Sequence, residues 1–118
     1  MGRRLDYNGD NLIFRKGDPA DFVYLVLKGR VVLEKDSGES EESLGEIFPG
    51  QIFGELAVIG NETRICSARA AEPTEVVRFR RSEISELIGH DAGVLDLFFQ
   101  AMATRIKLLA DKLNEVTT

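Results

Sequence analysis

A change of hydrophobic period near residue 82 constrains this 118-residue chain more than any other feature. Before it, short apolar and β-branched runs alternate with glycine, proline and acidic punctuation, as in an all-β roll or barrel. Strands are predicted near 3–7, 11–15, 22–27, 30–35, 43–48, 51–53, 65–71 and 75–80. Phe22-Val23-Tyr24-Leu25-Val26-Leu27 is apolar throughout, so both of its faces should be buried. Lys28-Gly29 then turns the chain into Arg30-Val31-Val32-Leu33-Glu34, which reads as a hairpin. Pro49-Gly50 and Glu72-Pro73 mark two further turns.

After Ser82 the period lengthens to that of a helix. Ser82 is a predicted N-cap for a short helix through Ile84, Leu87 and Ile88, ended by Gly89. Asp91 is a predicted cap for a longer helix reaching about residue 115. On it, Leu95, Met102, Leu109 and Val116 recur every seven residues, and Phe99, Ile106 and Leu113 do the same. Such interleaved repeats suit pairing with a twin helix, so a homodimer through 91–116 is expected. A second stripe, Val94, Leu97, Ala101 and Leu108, is placed to pack on the β portion. The predicted fold is mainly β with C-terminal helices. It is an eight-stranded jelly roll (a double-stranded β-helix) over about 3–81, followed by a short and a long helix over about 82–115. All of 1–118 reads as one domain.

Charge and inventory exclude several chemistries. The net charge of −5 argues against gripping nucleic acid by general electrostatics. The whole imbalance lies between Glu34 and Glu46, where six acids meet one base; the remainder carries fourteen of each sign. That tract is expected to be an exposed, solubilising hairpin loop. Arg78, Arg80 and Arg81 read as a solvated strand end. One His and one Cys cannot build a Cys/His zinc site, and His90, expected between the two helices, has no nucleophile motif beside it. A cupin-type enzyme, which commonly needs several histidines, is disfavoured for the same reason. Lone Cys66 excludes an internal disulfide and fits a reducing, cytoplasmic setting. No apolar run has membrane-spanning length.

The informative stretch is Phe53-Gly54-Glu55-Leu56-Ala57-Val58-Ile59-Gly60-Asn61-Glu62-Thr63-Arg64-Ile65-Cys66-Ser67. It interrupts the β pattern with a single predicted helical turn, Glu55 to Ile59, between two glycines. A helix that short is unstable alone. Free N–H groups at a helix start suit an anion, and Gly54 permits close approach of the backbone. Arg64, expected to open the next strand, offers a planar fork for two phosphate oxygens. Glu55 cannot share a phosphate but can accept hydrogen bonds from sugar hydroxyls. On spacing alone, an ordinary Glu55–Arg64 ion pair closing a loop explains the same residues.

Phe-Gly-Glu-Leu-Ala, with an arginine nine positions after the glutamate, resembles the phosphate-binding cassette of cyclic nucleotide-binding domains. These domains occur in bacterial cAMP receptor proteins, protein kinase regulatory subunits and cyclic nucleotide-gated channels. Ile13-Phe14-Arg15-Lys16-Gly17-Asp18, the run Phe22 to Gly29, Pro49-Gly50 and Arg69-Ala70 are similar to other parts of the family's pattern. The likeness covers roughly residues 3 to 114. It implies that Glu55 binds the ribose 2′-hydroxyl and Arg64 the cyclic phosphate. Main-chain N–H groups of Leu56, Ala57 and Ile65 would complete the cradle, with Gly54 and Cys66 beside it. Leu108, Leu109 and Lys112 are the candidates to cover the base.

Where the family commonly places a hydroxyl with cGMP preference, this chain has Ile65, so cAMP is expected, with cGMP as the other ligand. No metal or cofactor is expected. The chain is expected to act as a sensor and not as an enzyme, either alone or as one domain of a longer protein with a separate effector. The competing reading keeps the fold as a dimerisation module that has lost its ligand.

Overall fold

The computed structural model describes residues 2–35, 43–59 and 63–101. Eight strands form two four-stranded sheets: β1 (Arg3–Tyr7), β2 (Leu12–Phe14), β3 (Phe22–Lys28), β4 (Val31–Glu34), β5 (Ser43–Ile47), β6 (Ile52–Phe53), β7 (Ser67–Ala70) and β8 (Thr74–Arg80). Their orders are β1-β8-β3-β6 and β2-β7-β4-β5, and every pairing is antiparallel. Helix α1 (Glu55–Ile59) interrupts the strands, and α2 (Arg81–His90) follows them. Residues 92–101 are again helical. The fold is therefore mainly β, two sheets followed by helices.

β3 explains why its sequence is apolar on both sides. Tyr24 and Val26 enter the interior of the roll with Phe14, Val31, Phe53 and Val76. Val23 and Leu25 face the helices, where Val58, Ile84, Phe98 and Ala101 complete a second core. Alternation along a strand sends neighbours to opposite faces, so one strand serves both clusters. The same logic divides the last helical segment: Val94, Leu97 and Ala101 pack on the second core as expected, whereas Leu95 and Phe99 stay 38% and 57% exposed.

The expected hairpin at Lys28-Gly29 is instead a corner between sheets, since β3 pairs with β6 and β8 while β4 pairs with β5 and β7. Gly29 has φ +90°, and a Cβ there would lie 2.5 Å from Pro73 O and Thr74 Oγ1. Arg30 N donates to Thr74 Oγ1 at 3.2 Å, and Ala71 N donates to Arg30 O at 2.9 Å. The 28–30 corner is thus fitted against the 71–74 corner, and both carry the chain across. The acidic tract does join two paired strands, β4 and β5. Its end residues are ion-paired: Glu34 with Arg69 Nε at 2.9 Å, and Glu46 with Arg30. Residues 36–42 lie outside the described residues.

Ser82 does not cap α2. The cap is Arg80, and the Glu83 carboxylate accepts from Arg80 N at 3.0 Å and from Gly2 N at 2.7 Å. A carboxylate in the first turn satisfies these donors more strongly than a hydroxyl. Gly89 does not end the helix, which runs on through His90, so His90 sits in the last turn and not in a loop. Asp91 Oδ1 accepts from Gly93 N at 2.8 Å, the expected cap of the following helical segment. Among the described residues, no helix is long and apolar enough to cross a membrane.

Candidate ligand-binding cradle

Gly54 ends the β6 turn with φ +80° and opens directly into α1. Glu55 is the first residue of α1 and is 1% exposed. A carboxylate at a helix start is favoured by the dipole, which offsets part of the cost of burying it. Leu56 is the second residue of α1; Ala57 and Val58 follow it, both buried.

Arg64 reaches the same place from the other side. Its main chain is clamped to the 17–18 turn: Arg64 N donates to Asp18 O, and Gly17 N donates to Arg64 O, both at 2.8 Å. A Pro19–Thr63 bridge lies just before it. These bonds hold residues 64–66 out of the ladder, so β7 starts at Ser67 and not at 65 as expected. Arg64 is only 4% exposed. Nη1 donates to Gly54 O at 2.7 Å and Nη2 to Phe22 O at 2.5 Å. Its Cζ stands 4.1 Å from the Phe14 ring centroid and 5.9 Å from that of Tyr24. Nε is buried and donates to nothing among the described residues.

Burial lowers the Arg64 pKa, against which Tyr24, Cys66, Asp21 and Glu55 favour its charged form. A guanidinium stays protonated through such a shift. Burial also pushes the Tyr24 phenol up, with Tyr7 adding to it and Arg64 and Arg78 opposing. The result is a desolvated, permanent positive charge whose buried Nε–H is uncommitted among the described residues. That is an anion-seeking arrangement.

Gly54, Glu55, Ala57, Arg64, Ile65 and Cys66 all line one small cleft. Cys66 is buried, but Ile65 is 61% exposed. Leu108, Leu109 and Lys112 lie outside the described residues. Sequence reasoning missed Phe14, Tyr24 and Phe22, which form the shelf and the carbonyl that hold Arg64. Their only signal was aromatic residues on strands that would face the interior. The cavity measures about 40 Å³, well below the roughly 300–1,000 Å³ of ligand pockets. No group of three or more His, Cys, Asp or Glu that could hold a metal occurs among the described residues.

Residues 4–91 match the cyclic nucleotide-binding domain family, and the chain belongs to it. Among solved structures, the catabolite activator protein of Thermus thermophilus superposes with a TM-score of 0.82 at 28% identity, over 98% of this chain and 55% of that one. The EAL enzyme Bd1971 in its cAMP-bound form superposes with a TM-score of 0.68 at 28% identity, over 95% and 30%. Lysophospholipase nte1 of Aspergillus fumigatus is 34% identical over 107 residues, which cover 89% of this chain and 7% of the enzyme. The chain thus spans about 7% of the length of the curated relatives it matches.

Proposed function

We propose that the chain is a receptor domain for a cyclic nucleotide, cAMP ahead of cGMP. The observation that carries this is the convergence of two buried side chains of opposite charge, Glu55 and Arg64, on either side of Gly54 in one cleft. The similarity to Bd1971, solved with cAMP, supports the ligand class. Arg64 would hold the cyclic phosphate and Glu55 the ribose hydroxyl. Main-chain N–H groups of Leu56, Ala57 and Ile65 would complete the cradle, with Gly54 and Cys66 as its close walls. Leu108, Leu109 or Lys112 would cover the base.

In the small cleft described above, the guanidinium is bound to the protein's own carbonyls. A phosphate must draw it off Gly54 O and Phe22 O, exchanging neutral acceptors for a charged one, which forms the stronger hydrogen bond. That exchange would shift α1, whose Val58 is packed with Ile84 of α2 and with Phe98 and Ala101. Ligand and helix positions are then linked, provided the two helix arrangements differ in affinity. Leu95 and Phe99 would form the dimer seam. In a longer cytoplasmic protein, the helices would carry the signal to a separate effector.

Titration calorimetry with cAMP, cGMP and AMP tests the reading. The wild type should bind cAMP more tightly than cGMP, and AMP least. Arg64→Ala should lose binding while keeping its circular dichroism spectrum. An Arg64→Ala variant that binds cAMP as well as wild type overturns the assignment. The small cavity and the engaged Arg64 favour a second reading, a dimerisation module without ligand. Thermal melting separates the two: a ligand at one hundred times its Kd stabilises by about 2.7 kcal/mol, whereas the second reading requires no shift of the midpoint.

A further inference from the structure

We propose that the cleft between Arg3, Arg78 and Arg80 is a second anion site, specific for a phosphomonoester group and separate from the Arg64 cradle. Arg3 on β1 lies directly opposite Arg78 on β8, and Arg80 follows two residues on, opposite Phe22 of β3. Period-two alternation puts Arg78 and Arg80 on the same face. Like charges placed directly opposite across a sheet are destabilising.

Elsewhere this chain avoids that cost by pairing arginines in or beside strands with glutamates: Arg4 with Glu75, Arg30 with Glu46, and Arg69 with Glu34. Among the described residues, Arg3 and Arg80 enter no such pair. The chain has an excess of acids, so the unmatched cluster is not forced by composition. Arg78 is also held in place, its Cζ 4.1 Å from the Phe22 ring centroid. A fixed guanidinium loses little freedom on binding.

The three side chains border a cleft of about 410 Å³, with Gly2, Phe22, Ser82 and Glu83 as the rest of its lining. Glu83 is the one acid of that lining, and its carboxylate is already engaged by two main-chain N–H groups. Three guanidiniums against one carboxylate leave a local charge of +2. In the adjoining cleft Asp21 stands with Arg81 and changes nothing in that sum. A phosphomonoester, with a charge of about −1.5 to −2 and three acceptor oxygens, matches both the charge and the donors. A single carboxylate matches neither. The ester could be a free metabolite or a lipid headgroup.

The test uses glycerol 3-phosphate as the free probe, followed by NMR of the arginine side-chain N–H groups, on wild type, Arg64→Ala and the double variant Arg3→Ala/Arg80→Ala. Both residues of the pair are exposed, and circular dichroism checks that the fold is kept. Wild type and Arg64→Ala should bind alike, and the double variant at least about tenfold more weakly, the scale of a lost charged hydrogen bond. Loss of binding in Arg64→Ala with retention in the double variant would return the phosphate to the cradle and overturn the proposal. So would the absence of binding by wild type, or tighter binding of hexaglutamate than of glycerol 3-phosphate. Vesicles of phosphatidylcholine with and without phosphatidic acid then decide the source. Retention on phosphatidic acid vesicles that the double variant loses assigns a lipid headgroup; binding of the free ester alone assigns a soluble ligand.

Discussion

Two glycines at similar backbone angles separate the conformational from the packing role of a residue beside Arg64. Gly54 has φ +80° and Gly50 has φ +88°. A Cβ on Gly54 would meet Arg64 Nη1 at 2.7 Å, while a Cβ on Gly50 would meet nothing within 4 Å. The left-handed penalty of about 1–2 kcal/mol applies to both. Gly54→Ala is therefore expected to lose more stability than Gly50→Ala in urea titration, the excess measuring how firmly Arg64 is seated. Equal losses would mean that the guanidinium moves aside freely. Gly54, Glu55 and Arg64 were legible in the sequence because they lie within eleven consecutive positions. Their shelf was not, because Phe14, Phe22 and Tyr24 reach Arg64 only through the closure of the roll.

At the scale of elements, α2 depends on a carboxylate that also ties down the N-terminal strand. Glu83 accepts from Arg80 N and Gly2 N, and these two bonds hold its pKa below the ordinary value. A group whose folded pKa is depressed contributes stability above its unfolded pKa and loses it as pH falls through the folded one. Melting temperature should therefore fall from about pH 5 downward. Glu83→Gln should show a shallower fall over that range, measured by circular dichroism at several pH values. Identical profiles would remove Glu83 from the acid response. The strands themselves were readable because half-buried alternation and turn residues bound them. The Lys28-Gly29 corner was not, since a glycine at positive φ serves a hairpin and a crossing between sheets equally well; only the 71–74 corner distinguishes them. Ile65 and Cys66 look like strand residues, yet the bonds from Arg64 to residues 17 and 18 withhold them from the ladder.

For the whole molecule, adjacent phenylalanines divide fold from assembly. Phe98 is buried in the second core, whereas Phe99 is exposed. Phe98→Ala should cost about 3–5 kcal/mol and lower the melting temperature. Leu95→Glu/Phe99→Glu should leave that temperature near wild type at the same protein concentration, less any share due to self-association. If the proposed seam exists, sedimentation equilibrium should find the double variant monomeric and the wild type dimeric. A wild type that sediments as a monomer at every concentration would reject the seam. The sequence showed part of this division, since helical periodicity set Val94, Leu97 and Ala101 on a different stripe from Leu95 and Phe99, but it assigned Phe98 to neither.

The aromatic shelf under Arg64 has a practical consequence for optical measurement. The chain has no tryptophan and two tyrosines, and Tyr24 is stacked on Phe53 with ring centroids 5.0 Å apart. Its near-ultraviolet signal therefore comes from few chromophores, one of them within 5.9 Å of the Arg64 guanidinium. Any event that withdraws that charge changes the field on the Tyr24 ring. The protein carries its own reporter at the cradle, with no dye or inserted label.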